Sequence, residues 1–259
     1  SLWDSHADAI ECLLLQSGGR YFTEDGQPDI NSERNALTIA TLVSWMTGPD
    51  AVTYDAMPFT ASGNRLKVDG YVVADLMPDW MCNIWKNEMP QLAGKLKVMP
   101  VPAWEKGGRR TSVWGGTMLG ITKASPNFDA AWEVAKHLYT SPELARELYT
   151  TGDIITPFRS HWSDPVFAKP DPYFCNQKKG LLYIEQAPNV PLRPSSPYNT
   201  LARDAVRDAV SDLATFARRT KTYDAAALLP EAREALDRAH TRVAKELTRN
   251  QFLQEGGDQ

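Results

Sequence analysis

Apolar positions recur every three or four residues along several stretches of the chain, and those stretches are the predicted helices. Leu2, Ile10, Leu13 and Leu14 fall on one helical face that Gly18-Gly19 stops. Asn31 or Ser32 is placed to cap a helix running to about Met46, with Leu37, Ala40, Thr41 and Ser44 spaced along it and Gly48-Pro49 ending it. Met81 to Met89 reads as a short helix carrying Trp85. Ser125-Pro126 and Ser141-Pro142 repeat one start chemistry, a hydroxyl cap followed by proline in the first turn. The first of these helices has an apolar stripe of Phe128, Ala131, Trp132, Ala135 and Leu138; the second carries Leu144 and Leu148 and ends at Gly152. Two long helices follow. One, of about twenty residues after Tyr198, lines up Leu201, Ala205, Val206, Ala209, Val210 and Leu213. The other runs from about Pro230 to Asn250 with Ala232, Leu236, Ala239, Val243 and Leu247 on one side.

Other stretches read as extended. Tyr21-Phe22 with the Asp25-Gly26 turn predicts a short strand and reversal. Tyr71 to Ala74 is a short apolar run, the mark of a buried strand, broken by Pro78-Asp79-Trp80. Residues 96–102 alternate and are stopped by prolines, as in an edge strand or crossover. Residues 111–122 form a strand pattern interrupted by Gly115-Gly116, where a bulge or a close backbone approach to a ligand is expected. The charged turn at 105–110 reads as a solvated tip, with an anion site as the alternative. Residues 153–200 are rich in proline and aromatics and predict an irregular surface segment with short helices near 163–169 and 174–186. The tail at 255–259 reads as unstructured.

Composition narrows the possible functions. With 259 residues the chain can bury a core without staples. A net charge of −4 with no long basic run leaves no footprint for a nucleic-acid backbone. No window is long and apolar enough to span a bilayer. Cys12, Cys82 and Cys175 show no metal or disulfide spacing and read as buried thiols. The four histidines are scattered, so no metal site is predicted. The glycine-rich phosphate and dinucleotide motifs, the zinc-protease motif and the nucleophile-elbow motif are all missing, so no catalytic residues and no cofactor are assigned.

What remains is a set of aromatics placed where the backbone breaks. Trp80 follows Pro78-Asp79, Trp114 precedes Gly115-Gly116, and Tyr198 with Asn199 stands in a Pro-Ser-Ser-Pro turn before a helix. A sugar has an apolar C–H face that an indole covers, and a rim of hydroxyls that carboxylates, amides and backbone N–H groups serve. Asp79, Trp80, Trp114, Gly115, Gly116 and Tyr198 are therefore the candidate carbohydrate-binding residues. The plainer reading of any one Trp is core packing, and it is kept for Trp3, Trp45, Trp132 and Trp162.

The order of these segments resembles the extracellular solute-binding proteins of bacterial ABC sugar importers, the group that includes maltose-binding protein. The match runs through Pro78-Asp79-Trp80, VMPVPAW at 98–104, WGGTMLGITKASPN at 114–127, YTSPELARELYTTGDIITPFRS at 139–160 and the two late helices. The resemblance implies an α/β fold of the type II periplasmic-binding kind, with two lobes and a ligand cleft that closes by a hinge. It places 1–102 in lobe two, 103–160 in a segment that returns to lobe one, and 161–259 in the remainder of lobe two. It makes this chain the C-terminal portion of such a protein, in keeping with a start at Ser1 inside predicted structure. It also places Tyr198, or Asn199 next to it, near a cleft aromatic at the head of the late helix, and it implies a non-catalytic periplasmic or extracellular monomer that passes a sugar to a membrane permease. Lipid anchoring of the full-length form stays open, since Cys12 stands in AIEC, which is not a lipobox. A glycoside-active enzyme with an aromatic groove, and the same fold holding a non-sugar solute, are the alternatives.

Overall fold

The computed structural model describes residues 1–249. Its helices in chain order are α1 (Ala7–Ser17), α2 (Glu33–Met46), α3 (Ala61–Val68), α4 (Met81–Glu88), α5 (Phe128–Thr140), α6 (Pro142–Gly152), α7 (Lys179–Gln186), α8 (Asn199–Thr220) and α9 (Ala225–Thr248). The chain divides into two compact units. One holds 1–57, 103–113 and the residues from Pro191 onward; the other holds 58–102 and 114–190. These units follow compactness within the described chain, a different division from the 1–102, 103–160 and 161–259 lobe assignment.

The first unit is a helical bundle. α9 lies along α8 and α2, and α1 packs on α2 and α8. Ile10, Leu14, Ile39, Leu42, Val206, Val210, Leu213 and Leu236 are completely buried between them. Side-chain caps, the Ser32 one predicted, explain where these helices begin. Ser32 Oγ accepts the N–H of Asn35 at the head of α2, and Asp224 does the same for Ala227 at α9. Buried Asn35 fastens the preceding loop, its Nδ2 donating to the carbonyls of Arg20, Asp29 and Ile30. α9 begins five residues before the expected Pro230, because the Asp224 cap and the alanine run start the helix and Pro230 is taken inside it. The predicted end at Asn250 and the tail at 255–259 lie outside the described residues. The charged turn at 105–110 closes with Gly108 N–H donating to the Glu105 carbonyl. Arg109 from that turn donates to the Leu15 carbonyl in the last turn of α1, a basic group where a helix end carries partial negative charge.

The strand expectations need correction. Among the described residues no β-ladder forms; two isolated antiparallel bridges, Phe22–Pro28 and Asp171–Gln177, are all that pair. A strand is a relation between two backbones, and these segments find other partners. Tyr71 and Val72 N–H groups close the end of α3 on the Leu66 carbonyl, leaving Val73 85% exposed where a buried strand was expected. Val98 exchanges both main-chain bonds with the Gln177 side-chain amide, at 2.7 and 2.9 Å. Residues 114–122 form no regular element, with Met118 94% exposed. α5 starts at Phe128 behind Asn127, two residues later than Ser125-Pro126 predicts, because Ser125 Oγ accepts the Asn127 N–H in a local turn. Trp132 and Trp45 are not core residues as expected: Trp132 is 53% exposed on the apolar stripe of α5, and Trp45, 37% exposed, stacks on Trp104.

The second unit is built on two small cores. Met81, Cys82, Trp85, Met89, Leu92, Tyr173 and Phe174 form one, and Tyr149, Val166 and Phe167 the other. A charged network lies beside them. Lys179, 2% exposed, reaches Asp153 at 2.5 Å and Asp171 at 3.6 Å. Lys86 reaches the same two carboxylates at 2.8 and 2.6 Å. The Lys179 ammonium also stands 4.7 Å over the Tyr149 ring. Two lysines and two aspartates balance, so breaking one pair leaves a buried charge without its partner. Lys179→Met is expected to destabilise the second unit by about 3–5 kcal/mol in urea unfolding. Adding Asp153→Asn, which restores neutrality, should recover part of that loss.

Candidate functional site

The turn that carries Trp80 is held from several directions. Met81 and Cys82 N–H groups bond back to the carbonyls of Pro78 and Asp79, making the turn the first loop of α4. The Tyr183 hydroxyl donates to the Met77 carbonyl at 3.1 Å. Asp79 Oδ2 accepts the Ile155 N–H at 2.8 Å, tying this turn to the residues that follow α6. Those residues begin at Asp153, left-handed at φ 59°, which ends α6 and belongs to the buried charge network. Burial pushes the Asp79 carboxyl above its ordinary range, against the opposing N–H bonds from Ile155 and Trp80. Asp79 thus serves the turn through Oδ2.

Trp80 sits half-buried, packed against the Met81–Phe174 core. A side-chain carbon at Gly115 would stand 4.0 Å from Trp80 Nε1, so the Gly115 backbone borders the indole. Gly115 and Gly116 have φ of 87° and 122°, values that L side chains rarely adopt, which explains glycine at both positions. Two of the sequence-predicted elements, the Asp79-Trp80 turn and the Gly115-Gly116 break, therefore meet in one unit. Trp114 lies in the same unit, half-buried at the start of the exposed 115–120 segment. Sequence reasoning missed Phe59. Its ring lies nearly parallel to Trp80, with 6.3 Å between centres and 11° between planes. The only sequence signal is an aromatic residue directly before Thr60, whose Oγ1 caps α3 by accepting the Gly63 N–H.

Tyr198 and Asn199 belong to the other unit, at the head of α8. Ser196 shapes the turn: its Oγ accepts the Tyr198 N–H, and its carbonyl accepts the Asn199 N–H. The Asn199 amide donates to the Pro194 carbonyl at 3.3 Å. Asn199 also lines a small cavity with Glu11, Tyr21 and Arg193. Glu11 pairs with Arg193 at 2.8 Å, yet burial outweighs that pairing and raises its carboxyl above the usual range.

The remaining chemistry is quiet. Burial pushes the Cys12 thiol up to about 11 and Cys82 to about 12, so both stay protonated and act as small apolar groups. Cys175 is partly exposed, with Sγ 3.2 Å from the Gly94 carbonyl. Among the described residues no group of three His, Cys, Asp or Glu could hold a metal ion, and no helix is long and apolar enough to cross a membrane.

A family model for bacterial extracellular solute-binding proteins matches residues 2–144. The chain belongs to this family. It is similar to an arabinooligosaccharide-binding protein of Halalkalibacterium halodurans, with 26% identity over 164 residues, covering 62% of this chain and 37% of that protein. Two solved structures share its fold. One is an ABC transporter solute-binding protein from Thermotoga lettingae bound with α-D-tagatose, at TM-score 0.66 and 19% identity, covering 93% of this chain and 56% of that one. The other is an ABC transporter-associated binding protein from B. animalis subsp. lactis in complex with β-1,6-galactobiose, at TM-score 0.63 and 18% identity, covering 95% of this chain and 61% of that one. The chain thus spans little more than a third of the curated relative's length (37%) and over half of each solved structure. The chain shares the fold of these solute-binding proteins, while the described residues themselves are mostly helical and form no β-ladder.

The raised carboxyl of Asp79 has a stability consequence. Its folded-state value exceeds the unfolded one, so its contribution is fully present below about pH 3.9 and is lost as pH rises through the folded-state value. Asp79→Asn keeps an acceptor for Ile155 N–H and removes the buried charge. The variant is expected to be more stable than the parent at pH 7, with the gain vanishing near pH 3, as read by thermal melts across pH. Asp79→Ala, which leaves that N–H without an acceptor, is expected to be less stable by about 1–3 kcal/mol.

Proposed function

We propose that this chain is part of the sugar-binding component of a bacterial ABC importer. The protein captures an oligosaccharide outside the cytoplasmic membrane, leaves it chemically unchanged and delivers it to the membrane permease. It works as a monomer without a cofactor. The observation that carries this reading is Trp80, an indole seated on a hydrophobic core and bordered by the bare Gly115 backbone, in a chain of this family. Such a pairing offers a flat apolar face beside main-chain groups, the two surfaces a sugar ring needs. Trp114, Gly116, Tyr198 and Asn199 complete the proposed ligand set, and Asp79 joins it through the turn that it holds. The curated relative's name favours an arabinose-containing oligosaccharide.

The architecture proposed with this function is the two-lobed α/β fold, with 1–102 and 161–259 in one lobe and 103–160 in the other. Apolar side chains exposed outside the helices, Val73, Met99 and Met118, support it, since they have the character of strand residues with little covering them.

Calorimetry on the full-length protein with arabinose, arabinotriose and galactobiose tests the reading. At least one sugar should bind and be recovered intact. Trp80→Ala should weaken that binding by ~1–3 kcal/mol. Absence of binding to all three, or release of new reducing ends, would reject the proposal.

A further inference from the structure

Phe59 is an aromatic residue held where neither packing nor backbone preference puts it. Its φ of 61° lies in the left-handed region, which a bulky L residue occupies only under constraint from its surroundings. The ring is 57% exposed, so burial does not account for its position. Trp80 packs on the Met81–Phe174 core, whereas Phe59 is not among the side chains packed there. Instead Phe59 runs nearly parallel to the indole, 6.3 Å away between centres. At that separation the rings do not cover one another fully, and the Phe59 ring is the more exposed of the two. Strained backbone at an exposed position is a feature that concentrates in ligand clamps.

We infer that Phe59 and Trp80 form a two-step aromatic platform that takes consecutive rings of one glycan, one sugar on each. The inference rests on the sugar-binding reading above and deepens it by naming Phe59 as the residue that discriminates two or more linked rings from a monosaccharide. The spacing of the two aromatic rings is comparable to the step between linked sugar rings, and their near-parallel planes suit a glycan that runs on without a sharp bend. Phe59 is then a specificity residue: Trp80 serves any bound sugar, and Phe59 serves only the second ring.

The test uses the full-length protein, titrated with arabinose and with α-1,5-arabinotriose. Phe59→Ala should weaken the trisaccharide roughly three- to tenfold, the range of one aromatic contact, while arabinose affinity stays within about twofold. Phe59→Gly, which relaxes at φ 61° without strain, should lose the same affinity with a melting temperature no lower than the parent's, so that unfolding is not the cause. Phe59→Tyr should restore trisaccharide binding. Unchanged trisaccharide affinity in Phe59→Ala would overturn the platform. Equal losses for both sugars would overturn it too, by placing one ring between the aromatics. If the parent protein binds neither of these sugars nor galactobiose, both this inference and the sugar-binding reading fall; if it binds sugar and ignores Phe59, only this inference falls.

Discussion

Much of the second unit depends on a network of four charges, three of them buried or nearly so and the fourth, Lys86, partly open to water. Lys86 and Lys179 share Asp153 and Asp171, and the residues that supply them come from α4, the end of α6, the turn after Lys169 and the start of α7. A lone buried ion would be expelled or neutralised, so each group holds the others in place. The constraint reaches the candidate site through two residues of chain. Asp153 ends α6, Ile155 follows it, and the Ile155 N–H holds Asp79, the neighbour of Trp80. The position of one indole is in this way tied to a network whose members never touch it.

Such an arrangement explains how a unit with small cores can hold an exposed aromatic face in register. Hydrophobic packing alone is non-directional. Paired charges and the Ile155 amide bond to the Asp79 carboxylate have preferred geometry, and the latter holds the turn itself. The backbone at Gly115-Gly116 adds the complementary feature, a stretch that can pass beside the ring because nothing projects from it.

The helices were legible in the sequence because their signals are local. Ser32, Ser141 and the periodic alanines and valines of α8 announced their elements and found them. The extended segments were misread for the opposite reason. Alternation and β-branched residues describe what a segment could do beside a partner, and at 71–74 and 96–102 the available partners were the end of α3 and the Gln177 amide. At the candidate site, Trp80 and Gly115 were legible as breaks in pattern, and they meet. Phe59 was not, since its interest comes from a backbone angle and a neighbour twenty-one positions along the chain. Asp79 was read as reaching outward, yet its Oδ2 turns inward to a main-chain amide, a role set by contacts between distant segments.

The Trp45–Trp104 pair in the first unit has a practical corollary. Two indoles 5.5 Å apart and within 12° of parallel are close enough for their electronic transitions to couple. Trp45 comes from α2 and Trp104 from a segment more than fifty positions later, so the coupling exists only while both are docked. The near-ultraviolet dichroism of that pair would follow the assembly of the helical bundle by itself, separately from emission changes at the five indoles of the other unit.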